Sequence, residues 1–177
     1  MNINDLIIKR ESCRDYSGKP VDVESLKKII DVARMAPSAA NSQPWKFYAT
    51  NDPAKVRRLR EAITPMDRNK FAPGAQAFII QTVLLPEEPW KPATPYHHYY
   101  RDFDNGIAAA HVCFAATELG LSTCMIGWYD DEIIREVCGY GEDEKAILGY
   151  TVGYANYGED KLRVKARRGL DDVLTIL

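Results

Sequence analysis

The stretch DNGIAAAHVCFAATELG, residues 104–120, limits the possible folds more than any other. Its apolar residues recur at helical spacing, Asp104 stands where an N-cap belongs, and Gly120 stands where a last turn closes. Ala108, Ala109, Ala110, Ala115 and Ala116 leave little side chain on any face, which predicts a central helix packed closely on most sides. Such a helix needs a sheet to lie on. The run AFIIQTVLL at 77–85 is continuously apolar with β-branched members and predicts a buried strand, and WKFYAT (45–50), TCMIGW (123–128) and AILGYTVGYA (146–155) predict three more. Further helices are expected over 3–9, from an Asp22 cap to near Pro37, from Pro53 through Leu59 and Ile63, and from Asp130 or Asp131 to before Gly139. Helices and strands alternate with irregular connections, which predicts an α+β fold with a central mixed sheet flanked by helices.

A chain of 177 residues suits one domain, spanning 1–177. A net charge of −2 and a pI near 5.9 give no footprint for a nucleic acid. The start, MNINDLIIKR, has an apolar run too short for a membrane span or a leader, so a cytoplasmic protein without membrane contact is expected. Cys13, Cys113, Cys124 and Cys138 show no Cys-x-x-Cys spacing and are expected to be free thiols, with Cys124 a small buried apolar residue. His97 and His98 are adjacent and lack a third ligand, and His111 lies among alanines, so no metal site and no catalytic histidine is expected.

The segment PEEPWKPATPYHHYYR, 86–101, has four prolines and no periodicity. It reads equally as a lid offering Trp90, Tyr96, Tyr99 and Tyr100 for stacking, or as a loop pinned to the surface by those rings.

Two basic stretches carry the candidate chemistry. In KRESCRDY, 9–16, Arg10, Ser12 and Arg14 alternate, so an extended backbone presents two guanidinium forks and a hydroxyl on one side. In RVKARR, 163–168, Lys165 and Arg167 alternate likewise. If the ends of the chain meet, four cations converge on one point, as a terminal phosphate monoester requires. The alternative for each stretch is a set of solvated surface charges. The loop APSAANSQPWKF, 36–47, holds more polar and small residues than a turn needs.

Taken together, R-x-S-x-R near the amino terminus, APSAANSQPWKF, D-x-G-x-A-A leading into a helix that closes with LGLSTCMIG, and a basic carboxy-terminal segment resemble the nitroreductase family of FMN-dependent oxidoreductases. The resemblance covers nearly the whole chain. It implies a mainly antiparallel sheet and a homodimer with FMN at the subunit interface. Arg10, Ser12 and Arg14 would hold the phosphate and ribityl chain, with Glu11 giving backbone at most, and Lys165 and Arg167 would complete the clamp. Glu11 departs from the family, which more often has a basic residue there, and a carboxylate beside a phosphate is repulsive unless it points away. Pro37, Ser38, Ala39, Ala40 and Asn41 would lie against the flavin from the second subunit, with Gln43, Pro44 and Trp45 leading into the strand. Met125, Ile126 and Gly127 would run along the other side of the ring. The implied activity is hydride uptake from NADH or NADPH and ping-pong reduction of a small electrophilic acceptor such as a nitroaromatic or quinone, with the chemistry borne by the flavin. Two alternatives stay open: a flavin-binding store or sensor without turnover, and a specialised reductase, dehalogenase or dehydrogenase of one metabolite.

Overall fold

The computed structural model describes residues 2–65, 68–85, 97–158 and 161–177. Its elements are α1 (Ile3–Lys9), α2 (Val23–Ala33), β1 (Trp45–Thr50), α3 (Pro53–Ile63), β2 (Ala77–Leu84), α4 (His97–Glu118), β3 (Ser122–Ile126), α5 (Asp131–Cys138) and β4 (Glu144–Gly153). The four strands form one sheet in the order β1-β2-β4-β3, each neighbouring pair antiparallel. Among the described residues only an isolated bridge from Ser12 to Thr123 is parallel, and it extends the sheet past β3.

Strand β2 is apolar throughout because both of its faces are covered. Ala77 and Ile79 meet Leu26, Ile29 and Ala33 of α2 and Ala109, Val112 and Ala116 of α4. Phe78 and Ile80 point the other way, into Val56, Leu59 and Ile63 of α3 and Ile134 of α5. Short polar residues set the helix starts. Asp22 accepts from the Ser25 amide, Asp52 from those of Ala54 and Lys55, and Asp130 from those of Glu132 and Ile133. At the end of α4, Gly120 takes φ +72° and the amide of Leu121 reaches back to the Ala116 carbonyl at 2.9 Å.

Helix α4 departs from the sequence reading at its other end. It starts at His97, seven residues before Asp104, so Asp104 is an interior residue and not an N-cap. The reason is local: Pro86, Pro89, Pro92 and Pro95 forbid helix only up to position 95, and nothing in HHYYRDF opposes one. Tyr99 and Tyr100 thus belong to α4, while Trp90 and Tyr96 lie outside the described residues. Among the described residues, helix α4 is buried along one side only. Ala108, Ala109, Ala115 and Ala116 are buried, but Phe103 is 59% and Ile107 37% exposed, and Ala110 and Phe114 continue that stripe half-buried. Among the described residues no helix is long and apolar enough to cross a membrane.

Two buried polar networks fix the sheet to its surroundings. Tyr150 donates to Gln81 Oε1 at 2.6 Å, and Gln81 donates to Asn105 Oδ1 at 2.9 Å, tying β4 and β2 to α4. From the next residue of β2, Thr82, a second network forms, in which Glu144 accepts from Lys46 (2.6 Å), Tyr48 (2.8 Å) and Thr82 (2.9 Å). Burial pushes the Glu144 carboxyl up, but these donors outweigh it and hold the group below its ordinary 4.5. A carboxyl depressed by folding stabilises the protein above 4.5 and stops doing so as pH falls through the lower folded value. Glu144→Gln is therefore expected to cost about 1–3 kcal/mol at neutral pH and to flatten the loss of stability below about pH 5. Thermal melts of both proteins across that range check it.

Candidate functional site

The two ends of the chain meet. The segment after α1 runs beside β3, with the Cys13 amide donating to Thr123 O at 2.9 Å, and the segment 161–167 folds over it. Lys165 Nζ donates to Arg10 O at 2.8 Å, and Arg163 Nη2 to Ser12 O at 2.8 Å. Between the two segments lies a cavity of about 330 Å³ lined by Arg10, Ser12, Arg14, Lys165 and Arg167, with Glu11 and Arg163 at its wall. The alternation read from both stretches thus places its cations around one space.

The charges in this space are unbalanced. Among the described residues no carboxylate pairs with Arg10, Arg14 or Arg167. Arg14 lies 5.8 Å from the ring centre of Phe71, and Arg167 donates to the Ala166 carbonyl. Burial, then the charges of Arg10 and its basic neighbours, holds Lys165 below its ordinary value. A cluster of cations without anions of its own suits a phosphate dianion, so the donor set fits the terminal group of a flavin mononucleotide. Glu11 does not oppose this. Its carboxylate turns to Arg163, accepting from the guanidinium Nε and, at 3.2 Å, from the backbone amide. Burial pushes the Glu11 carboxyl up, but the bonds and charge of Arg163, with Lys165, hold it below the ordinary range.

The loop 36–43 is held elsewhere. Ser38 is extended, and Ala39–Asn41 form one tight turn. Four non-glycine residues take left-handed φ among the described residues, and three are here: Ala40 (49°), Asn41 (55°) and Gln43 (45°). Each such conformation costs about 1–3 kcal/mol and persists only where the surroundings over-determine it. The fixing group is Asp104, only 5% exposed. Its carboxylate accepts from the Ala39 amide at 3.1 and 3.2 Å and from the Ser42 hydroxyl at 3.4 Å. The Gln43 amide donates to Ser38 Oγ at 3.0 Å, and the Gln43 side chain to Asn41 O at 3.2 Å.

One chain does not bring the loop to the basic cavity. The loop is anchored at Asp104, whereas Glu11 shares a second cavity, of about 260 Å³, with Thr117 and Gly120 at the far end of α4. Thr117 lies thirteen residues beyond Asp104 in the helix, about 20 Å along the axis at 1.5 Å per residue.

Further along β3, past the bridge from Thr123 to Ser12, Met125 is 42% exposed, whereas the side chain of Ile126 is buried in the core beneath α3 and α5, leaving only its backbone to face a ligand. At Gly127 an added Cβ would meet nothing within 4 Å, so nothing in this chain requires glycine there. Trp128 follows at 49% exposure, with the Arg68 guanidinium 5.2 Å from its ring centre. Sequence reasoning missed two residues that organise the site. Arg163 sits on the same alternation as Lys165 and Arg167, so the signal was present. Asp104 gave none, because its role depends on where α4 begins.

The model of the nitroreductase family matches this chain over residues 7–81 and 64–154. The chain belongs to the nitroreductase family. This family is one of oxidoreductases. A relative in Archaeoglobus fulgidus, assigned as an NADH dehydrogenase/NAD(P)H nitroreductase, is 29% identical over 159 residues, covering 88% of this chain and 86% of its own. The solved nitroreductase family protein of Streptococcus pneumoniae TIGR4 superposes with a TM-score of 0.83 at 21% identity, over 99% of this chain and 100% of its own. A solved oxidoreductase containing FMN gives 0.79 at 24% identity, over 99% and 91%. At these identities the two structures speak for the fold.

Proposed function

We propose that this nitroreductase family member binds FMN and, as a homodimer, passes electrons from NADH or NADPH to a small electrophilic acceptor by a ping-pong mechanism. The observation that carries the reading is the basic cavity built from both ends of the chain, with Arg10, Arg14, Lys165 and Arg167 paired with no carboxylate among the described residues and Glu11 turned away onto Arg163. The FMN-containing structural neighbour and the Archaeoglobus fulgidus relative, named as an NADH dehydrogenase/NAD(P)H nitroreductase, support it. A bound FMN would supply the hydride and electron-transfer chemistry between nicotinamide and acceptor. The protein's residues hold and orient it. Arg10, Ser12, Arg14, Lys165 and Arg167 grip the phosphate and ribityl chain, and Met125, Gly127 and the Ile126 backbone border the ring. Pro37, Ser38, Ala39, Ala40 and Asn41 of a second subunit cover it, since in one chain this loop is anchored at Asp104 whereas Glu11 lies by Thr117, about 20 Å further along α4.

The exposed stripe of Phe103, Ile107, Ala110 and Phe114 is the surface on which the second subunit is proposed to pack. Phe103→Asp combined with Ile107→Asp is expected to shift the protein from dimer to monomer in light scattering and to abolish tight FMN binding. A wild-type monomer that retains FMN would contradict the shared site. The turnover itself is tested by steady-state kinetics with a nitroaromatic or quinone. Parallel double-reciprocal lines at several NAD(P)H concentrations are expected, and intersecting lines would refute the ping-pong order.

A further inference from the structure

We infer that Glu11 is a positioning residue: its contact with Arg163 folds the carboxy-terminal segment over the amino-terminal motif and so assembles the phosphate cradle. This rests on the FMN reading above. A carboxylate in the middle of a phosphate-binding motif should weaken binding by simple repulsion, and a position chosen for binding alone would carry a cation. The geometry gives Glu11 another task. Its side chain is 9% exposed and takes two bonds from Arg163, one from the guanidinium and one from the backbone amide. The backbone bond matters more for position, because it fixes the path of the chain at 163 and not merely the end of a flexible side chain. Arg163 Nη2 then reaches Ser12 O, and two residues on Lys165 Nζ reaches Arg10 O. Three successive contacts therefore lace 163–165 to 10–12, and Glu11 is the central one.

Few other contacts hold this segment down. Val164 is 96% exposed, and Leu170, Val173 and Ile176 beyond it are exposed as well. Beyond the half-buried Leu162, residues 163–168 bury no apolar side chain among the described residues, so the position of Lys165 and Arg167 depends on polar contacts to the amino-terminal motif. The pair also keeps the cradle's charge in order. Glu11 and Arg163 neutralise each other at the wall, leaving Arg10, Arg14, Lys165 and Arg167 for the ligand.

Repulsion and positioning predict opposite signs for one substitution. Glu11→Ala removes a negative charge beside the phosphate, so repulsion alone would tighten FMN binding. Positioning predicts that FMN affinity falls by about tenfold, the equivalent of one charge-assisted hydrogen bond, while riboflavin, which lacks the phosphate, binds as before. The experiment titrates FMN and riboflavin into wild type, Glu11→Ala, Arg163→Gln and the conservative variant Glu11→Gln, following flavin fluorescence. Glu11→Ala and Arg163→Gln are expected to lose FMN over riboflavin selectivity, and trypsin is expected to cut within 161–168 faster in each. Glu11→Gln, whose carbonyl oxygen still accepts from the Arg163 amide, is expected to keep most of the selectivity. Tighter or unchanged FMN binding in Glu11→Ala, equal loss of both flavins, or a loss in Glu11→Gln as large as in Glu11→Ala would each overturn the inference. A wild type that binds riboflavin as well as FMN would instead overturn the phosphate-cradle reading on which it rests.

Discussion

Replacing Arg14 by alanine is expected to raise the dissociation constant for FMN by about 10- to 100-fold, the loss of one or two charge-assisted hydrogen bonds at about 1.5–3 kcal/mol. The same change is expected to move stability by about 0.5 kcal/mol or less. The separation follows from what Arg14 touches. It is exposed, it stands 5.8 Å from the Phe71 ring centre, and among the described residues it pairs with no carboxylate. A side chain that supports the fold so little and lines the cavity so directly has its role in what the cavity holds. Parallel FMN titrations and thermal melts of the variant test this. Equal losses in affinity and stability would mark Arg14 as a structural residue.

Asp104→Ala is expected to damage both properties at once. The carboxylate is buried and is the bonding partner outside the loop for the Ala39 amide and the Ser42 hydroxyl. Its removal leaves that amide without its acceptor and releases a turn with three left-handed residues, at an expected cost of about 2–4 kcal/mol. If the loop covers the flavin of the partner subunit, FMN affinity falls by more than about tenfold as well. Asp104→Asn, which keeps one carbonyl oxygen, is expected to fall between. Amide exchange at Ala39 to Gln43 reads the loop directly, and unchanged protection in Asp104→Ala would show that the turn holds itself.

These two residues also show how far the sequence could be read. Arg14 was legible because a phosphate site needs cations on one side of an extended segment, and alternation at 10, 12 and 14 is visible without coordinates. The meeting of that segment with Lys165 and Arg167 was legible only as a condition, since spacing does not say where two ends separated by more than 150 residues will lie. The two-sided burial of β2 followed from its unbroken apolar run, whereas the antiparallel pairing came only with the family resemblance, the pattern of elements having pointed to a mixed sheet. Asp104 was not legible. An aspartate before an alanine-rich run reads as a cap, and only the extension of α4 back to His97 turns it into a buried acceptor for a distant loop. The loop's conformation was half legible: Asn41 is a residue type that tolerates left-handed φ, whereas Ala40 and Gln43 give no sign of it. Glu11 was recognised as anomalous, but its partner Arg163, 152 residues away, was not.

The central claim is that this chain holds FMN in the basic cavity and reduces it with a nicotinamide. The most direct test is the visible absorption spectrum of protein saturated with FMN and desalted, followed without air on addition of NADH and then NADPH. Flavin retained through desalting and bleached by one of the two is the expected result, and it also identifies the donor. Retained flavin that stays oxidised with both would contradict the oxidoreductase reading in favour of a binding protein, and loss of the flavin on desalting would contradict the assignment of the cavity itself.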